Sequence, residues 1–233
     1  MSGHCNVVTG AASGMGKAVV AKLRSQGEPV LSVDIAGDVD CTCDLTVSDA
    51  VQKVGAAVKA KYDGVKGFVH CAGFVRTAPL GYILSSDAKD MFALHADFPM
   101  QFLGWVAKKA NHTEGTSAVL ISSMACHEGD RGNVAYAAAK GAVEGMVKCA
   151  ASELAPKGVR LNALALGVVD TPLAHKAWMD RSTPEQLEEK RRGYPLGFGT
   201  PEAVADIVDF FLHNQSRWIT GQVLICDGGH SLV

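Results

Sequence analysis

The stretch CNVVTGAASGMG, Cys5 to Gly16, sets the organisation of the chain. Cys5 to Val8 is a short apolar strand, Thr9 to Gly16 is a turn with three glycines, and a helical run follows to about Gln26. Strand, glycine turn and helix in immediate succession form an anion cradle. Glycine lets the backbone bend sharply and approach a diphosphate, and the helix start offers unpaired N–H groups at the positive end of its dipole. The spacing Gly10-x-x-x-Gly14-x-Gly16 is not the commonest dinucleotide fingerprint, so the glycines alone are also compatible with a plain turn. A second apolar run, Pro29 to Asp34, ends in a carboxylate 18 residues beyond Gly16. An acid there accepts hydrogen bonds from ribose hydroxyls and repels a 2′-phosphate, which points to NAD as cofactor rather than NADP.

Working outward, strands and helices alternate. Val39 to Cys43 resembles a third strand, yet only Ile35 to Asp38 separates it from the second, and parallel strands normally need a crossover of about a dozen residues. Either the crossover is reduced to an extended loop or the run is not a true parallel strand. A helix is expected from about Ser48 to Tyr62, a strand from Lys66 to Cys71, and a helix from Asp87 to Ala110 bent at Pro99. Ala118 to Ile121, Val159 to Leu166 and Gln222 to Cys226 complete the strands, with helices at Ala135–Leu154 and Pro201–His213. This alternation predicts an α/β fold: one domain over residues 1–233, a doubly wound parallel sheet with helices on both faces. Residues 171–195, polar and charged, read as an excursion covering a substrate pocket.

Composition bounds the function. A net charge of −2 gives no electrostatic reason for nucleic acid or an anionic membrane as partner. No segment reads as a leader or a membrane span, and seven scattered cysteines without paired metal spacing fit reduced thiols. The expectation is a cytoplasmic protein without a metal. Cys71, beside the cofactor strand, reads as packing, and no role is assigned to Cys126.

The chemistry concentrates in Ser123 to Lys140. Tyr136 and Lys140, four apart on a helix, project from one face, so an ammonium beside the phenol is expected to lower its pKa toward the range useful for proton exchange. The apolar run ending at Ser122-Ser123 offers a hydroxyl at a strand end. Spacing alone is weak, because Tyr62-Asp-Gly-Val-Lys66 has it too, and there Gly64 interrupts the helix.

Thr9-Gly-x-x-x-Gly-x-Gly16, Cys71-Ala72-Gly73, Ser123 thirteen residues before Tyr136, Tyr136-x-x-x-Lys140, Gly167 to Pro172 and Asp227-Gly-Gly229 occur in an order that resembles the short-chain dehydrogenase/reductase family. The resemblance spans nearly the whole chain, from Val7 to Gly229, and implies a Rossmann-type fold. By resemblance, Gly10, Ser13, Gly14, Met15 and Gly16 hold the diphosphate side, Asp34 the adenosine ribose, and Asp44-Leu45 the adenine. Cys71, Ala72 and Gly73 flank the cofactor, while Val169 and Thr171 meet the nicotinamide end. Tyr136 is implied as the acid–base, Lys140 as the ribose ligand that biases the phenol, and Ser123 as the group positioning the substrate oxygen. Three departures stand out: His70-Cys71 replaces the family's Asn-Asn, His95 its helical asparagine, and Leu166-Gly167 its Pro-Gly. The short connection after Asp34 is similar to the hydroxysteroid dehydrogenase/carbonyl reductase branch. Expected is an NAD-dependent oxidoreductase acting on a secondary alcohol or ketone, as a homotetramer or homodimer. The alternatives are a 3-oxoacyl thioester reductase, usually NADPH-dependent in this family, and a non-catalytic cofactor-binding scaffold. Substrate choice is placed in Phe74–Leu84, Cys126–Asn133 and Thr171–Pro195. For His95 two readings compete. Pro99 leaves its carbonyl without the usual i+4 donor and free to accept from water, or its imidazole is a proton relay titrating near pH 6.5.

Overall fold

Seven strands make one parallel sheet: β1 (Cys5–Thr9), β2 (Val30–Asp34), β3 (Cys41–Thr42), β4 (Val65–His70), β5 (His112–Ser123), β6 (Arg160–Leu166) and β7 (Val223–Cys226). The computed structural model describes residues 3–233, and the strand order is β3-β2-β1-β4-β5-β6-β7. The chain winds outward from β1 to β3, then returns to place β4 on the other side of β1. Between the C-terminal ends of β1 and β4 the winding reverses, and a crevice opens there.

Alternate residues of each central strand enter opposite cores. Val7, Phe68, Leu120 and Ala163 face α2 (Ala50–Lys61), α4 (Phe98–Val106) and α5 (Val134–Leu154). Their neighbours Val8, Val69, Val119 and Leu164 face α1 (Gly14–Ser25) and α8 (Pro201–Leu212). Both faces are therefore dry, which is why these strands are continuously apolar rather than alternating. Each buried Val or Leu stabilises the sheet by about 2 kcal/mol.

β3 is shorter than the expected Val39 to Cys43. Only Val33↔Cys41 and Asp34↔Thr42 pair, and Cys43 N–H adds a bond to the Asp34 carbonyl. Upstream, side chains replace the ladder: Asp40 Oδ2 accepts from Ser32 N (3.0 Å) and Ser32 Oγ (2.6 Å), while Asp40 N donates to Ser32 Oγ (3.0 Å). The crossover is indeed an extended loop.

The helix expected from Asp87 to Ala110 is three pieces: α3 (Ser85–Phe92), a π-helical turn (Ala93–Asp97) and α4. Phe98 N–H reaches back five residues to the Ala93 carbonyl. Pro99 has no N–H to give either the i−4 or the i−5 carbonyl, so the irregularity falls before the proline rather than at it. His70 takes up one of these carbonyls, its Nε2–H donating to Leu94 O at 2.9 Å.

The excursion leaves the sheet at Val169 and returns beside it. Val169 bridges Gly199, and Asp170 N–H donates to Gly199 O at 2.9 Å. Between them α6 (Pro172–Ala177) is capped by Thr171, and α7 (Pro184–Arg192) carries a Thr183–Gln186 capping box. Among the described residues no helix is long and apolar enough to cross a membrane.

Candidate active site

The crevice is two adjoining cavities. The first, about 430 Å³, is lined by Gly10, Ser13, Gly14, Met15, Gly16, Asp34, Asp44, Leu45, Cys71, Ala72, Gly73 and Thr171. Gly10 turns with φ 68° and lies so close to the Cys71–Ala72 peptide that a Cβ would come within 2.7 Å of Ala72 N. At Gly16 a Cβ would strike the Gly10 carbonyl, so the turn folds onto its own helix only with glycine at both positions. Ser13, the N-cap of α1, makes no side-chain cap bond, unlike Thr171, Thr183 and Thr200, which cap α6, α7 and α8. The first turn of α1, like those of α2 to α5, is thus free of the side-chain acceptor that α6, α7 and α8 carry. Asp34 is held at the β2 end by Ala12 N–H to Oδ2 (2.9 Å) and Ile35 N–H to Oδ1 (2.7 Å). Each oxygen keeps a lone pair for a further donor.

The second cavity, about 470 Å³, is lined by Ser123, Tyr136, Val169 and Thr171, together with Glu128, Asp130, Arg131, Asn133, Trp178, Lys190 and Tyr194. Met15, Thr171 and Leu173 line both cavities, so a ligand in the first abuts a ligand in the second. All three segments expected to set specificity supply part of its wall. The spacing rules missed Arg76, Asp90 and Leu94, which line the first cavity. Only Arg76 lay in a segment singled out, and it faces Asp87 at 4.0 Å.

At the junction, β5 delivers Ser123 and α5 delivers Tyr136 and Lys140. The buried stripe of α5, Ala135, Ala139, Val143 and Val147, fixes the helix rotation. Burial holds the Tyr136 phenol up at about 12, against a smaller downward pull from its hydrogen bond with Ser123. Here the expectation that Lys140 lowers the phenol's pKa is corrected. Its ammonium lies 5.6 Å from the Tyr136 ring centre but donates to Ile121 O on β5 at 2.7 Å. Burial drives its own pKa down to about 8. Desolvation outweighs the Ser123 hydrogen bond at Tyr136 and the nearby thiols at Lys140, so in the free protein the phenol stays protonated.

Two histidines back this centre. His70 Nδ1 accepts from Thr9 Oγ1 at 2.8 Å, Thr9 Oγ1 accepts from Ala72 N–H at 3.3 Å, and Nε2–H donates to Leu94 O. Burial, with Lys140 adding repulsion, lowers His70 to about 3. His95 sits edge-on to Tyr136, ring centres 5.5 Å apart, with Nε2–H donating to Phe74 O at 2.9 Å. Its Nδ1 is buried without a partner, and burial and Lys140 hold the ring well below its usual range. These surroundings oppose the titration near pH 6.5 that a relay role would need.

The family model described as enoyl-(acyl carrier protein) reductase matches residues 10–231. Among curated relatives, a 3-oxoacyl-(acyl-carrier-protein) reductase, FabG, of Thermotoga maritima is 32% identical, covering 98% of this chain and 98% of its own length. Carbonyl reductase family member 4 of Xenopus laevis is 30% identical, with 100% and 99% covered. A solved 3-alpha-hydroxysteroid dehydrogenase of a Pseudomonas species, complexed with NADH, superposes with a TM-score of 0.81 at 27% identity over 96% of this chain and 95% of that one. The chain belongs to the short-chain dehydrogenase/reductase family of oxidoreductases.

Proposed function

We propose that this protein transfers a hydride between NAD(H) and a secondary alcohol or its ketone. One observation carries the reading: Tyr136 and Ser123 stand in the wall of the second cavity where it shares Met15 and Thr171 with the first. The first cavity fits a dinucleotide by its donor set, with the uncapped α1 start and the Gly10–Gly16 turn for the diphosphate and Asp34 for ribose hydroxyls. Gly14 and Ser13 would flank the same diphosphate, Asp44 and Leu45 the adenine, and Cys71, Ala72, Gly73 and Val169 the path to the nicotinamide. When bound, the cofactor supplies the hydride donor or acceptor. The remaining work is the chain's own. Tyr136 exchanges its phenolic proton with the substrate oxygen, Ser123 Oγ holds phenol and substrate oxygen in line, and Lys140 presents a buried cation to the ribose side. Burial keeps the Tyr136 phenol protonated in the free protein, so it holds the proton that reduction of a ketone consumes.

The 32% relationship to the acyl-carrier reductase supports a second reading, reduction of a 3-oxoacyl thioester. Asp34 opposes the 2′-phosphate of NADPH at that site, and cofactor preference separates the two. Initial rates followed by the near-ultraviolet absorbance of reduced nicotinamide, over alcohols, ketones and a 3-oxoacyl thioester, should favour NAD(H) by at least about thirtyfold, equivalent to roughly 2 kcal/mol. Asp34→Ala should collapse that ratio. A native preference for NADP(H) with the thioester as best substrate would replace the first reading by the second.

A further inference from the structure

Outside the chemistry above, three side chains converge behind Ser123. Cys126 and His127 occupy the turn after β5, and Glu144 lies one turn beyond Lys140 on α5. Glu144 Oε1 accepts from His127 Nε2–H at 3.0 Å and from Ser122 Oγ–H at 2.7 Å. Cys126 Sγ lies 3.2 Å from the same oxygen and 3.0 Å from the Ser123 carbonyl. A thiol has one hydrogen for those two acceptors. One contact therefore sets a sulfur lone pair against an oxygen, a mismatch that a cation removes. The sulfur, nitrogen and oxygen atoms all lie within 4.8 Å of one another.

We propose that Cys126, His127 and Glu144 bind one Zn²⁺ per chain, with water in the fourth position. Thiolate, imidazole and carboxylate are the zinc set, whereas Mg²⁺ and Ca²⁺ prefer oxygen alone. With bonds of roughly 2.0–2.3 Å, tetrahedral zinc spaces its ligand atoms about 3.3–3.6 Å apart, so the contacts of Cys126 Sγ and His127 Nε2 with Glu144 Oε1, at 3.2 and 3.0 Å, open only slightly on binding. The thiol proton leaves to water and the imidazole proton moves to Nδ1. Thiolate and carboxylate together then neutralise the dication. His127 is exposed and leaves the solvent side open, while Ser122 orients the carboxylate from outside the ligand set. Sequence spacing does not display this site, because Glu144 is brought to the Cys-His pair only when α5 packs beside the β5 end.

The test is titration of the metal-free full-length chain with Co²⁺, followed by competition with Zn²⁺. Expected is a thiolate-to-cobalt charge-transfer band that saturates at one equivalent and is bleached by Zn²⁺. Cys126→Ser should abolish the band. Ser122→Ala should weaken binding by about tenfold, and His127→Ala, at an exposed position that folding tolerates, by at least as much. The proposal is overturned if the wild-type chain gives no band or if the band persists in Cys126→Ser, which would assign it to another of the seven cysteines. Unchanged affinity in both His127→Ala and Glu144→Gln also overturns it.

Discussion

Tyr62 to Lys66 and Tyr136 to Lys140 have the same spacing and opposite fates. Tyr62 is the C-cap of α2, in extended backbone with φ −139°, and its hydroxyl donates to Val30 O at 3.4 Å. Lys66 lies on β4, where it pairs with Glu28 at 2.5 Å near solvent. Tyr136 and Lys140 share one helix and one face, and Lys140 is 4% exposed. The difference is the segment between. Asp63-Gly64-Val65 ends a helix and starts a strand, whereas Ala137 to Ala139 keeps the helix going. Helix continuity makes the pair face one way, and packing against β5 then strips its water. That burial stabilises nothing by itself; it is a cost carried at the site where a buried cation is useful.

The largest test of this contrast is removal of each phenol. Tyr136→Phe should lower turnover by the ~10²–10⁴ of a lost general acid, with cofactor binding retained in a fluorescence titration. Tyr62→Phe should stay within about twofold. Equal losses in the two variants would mean that spacing, not the continuous helix, carries the chemistry.

Burial of neutral groups behind Tyr136 sets an acid limit. His70 has a folded pKa of about 3 against an ordinary 6.5, so the unfolded chain binds the extra proton first as pH falls. Stability is then fully present above pH 6.5 and lost progressively down to about pH 3. The loss is about 1.4 kcal/mol per pH unit. His95, also lowered by burial, adds to the same slope. Urea midpoints between pH 7 and pH 4.5 should show this decline, and His70→Asn should flatten it. An unchanged slope in the variant would place the acid sensitivity elsewhere.

Lys140 and Lys66 should differ in sign. With a folded pKa of about 8 against an ordinary 10.5, charged Lys140 costs stability below pH 8, and the cost is relieved as pH rises toward 10.5. Lys140→Met should therefore stabilise the free protein at pH 7 by about 2 kcal/mol, after allowing for the orphaned Ile121 carbonyl, while abolishing efficient turnover. The gain should shrink by pH 10. Lys66→Met should instead cost up to about 1 kcal/mol at pH 7, as an ion pair near solvent is lost. Chemical denaturation of both variants at the two pH values measures this.

The smallest effect is expected at His95. Its imidazole is neutral at working pH and donates to Phe74 O, so His95→Asn should keep turnover within about tenfold and leave the acidic limb of the pH–rate profile in place. Loss of that limb would make His95 a relay member despite its burial.

By itself the amino-acid sequence determined the elements and their faces. Continuous apolar strands mark a sheet covered on both sides, three glycines before a helix mark the cradle, and Tyr136 with Lys140 marks one helical face. These follow from short-range rules, because periodicity and glycine sterics act within a few residues. Tertiary structure alone decided the rest. It sent Lys140 Nζ to the Ile121 carbonyl instead of the phenol, held His70 neutral against Leu94 O, shortened β3 through the Ser32–Asp40 exchange, and gathered Cys126, His127 and Glu144. Each depends on which groups lose water and which distant residues then stand within 3 Å or so of each other, and neither is a property of spacing along the chain.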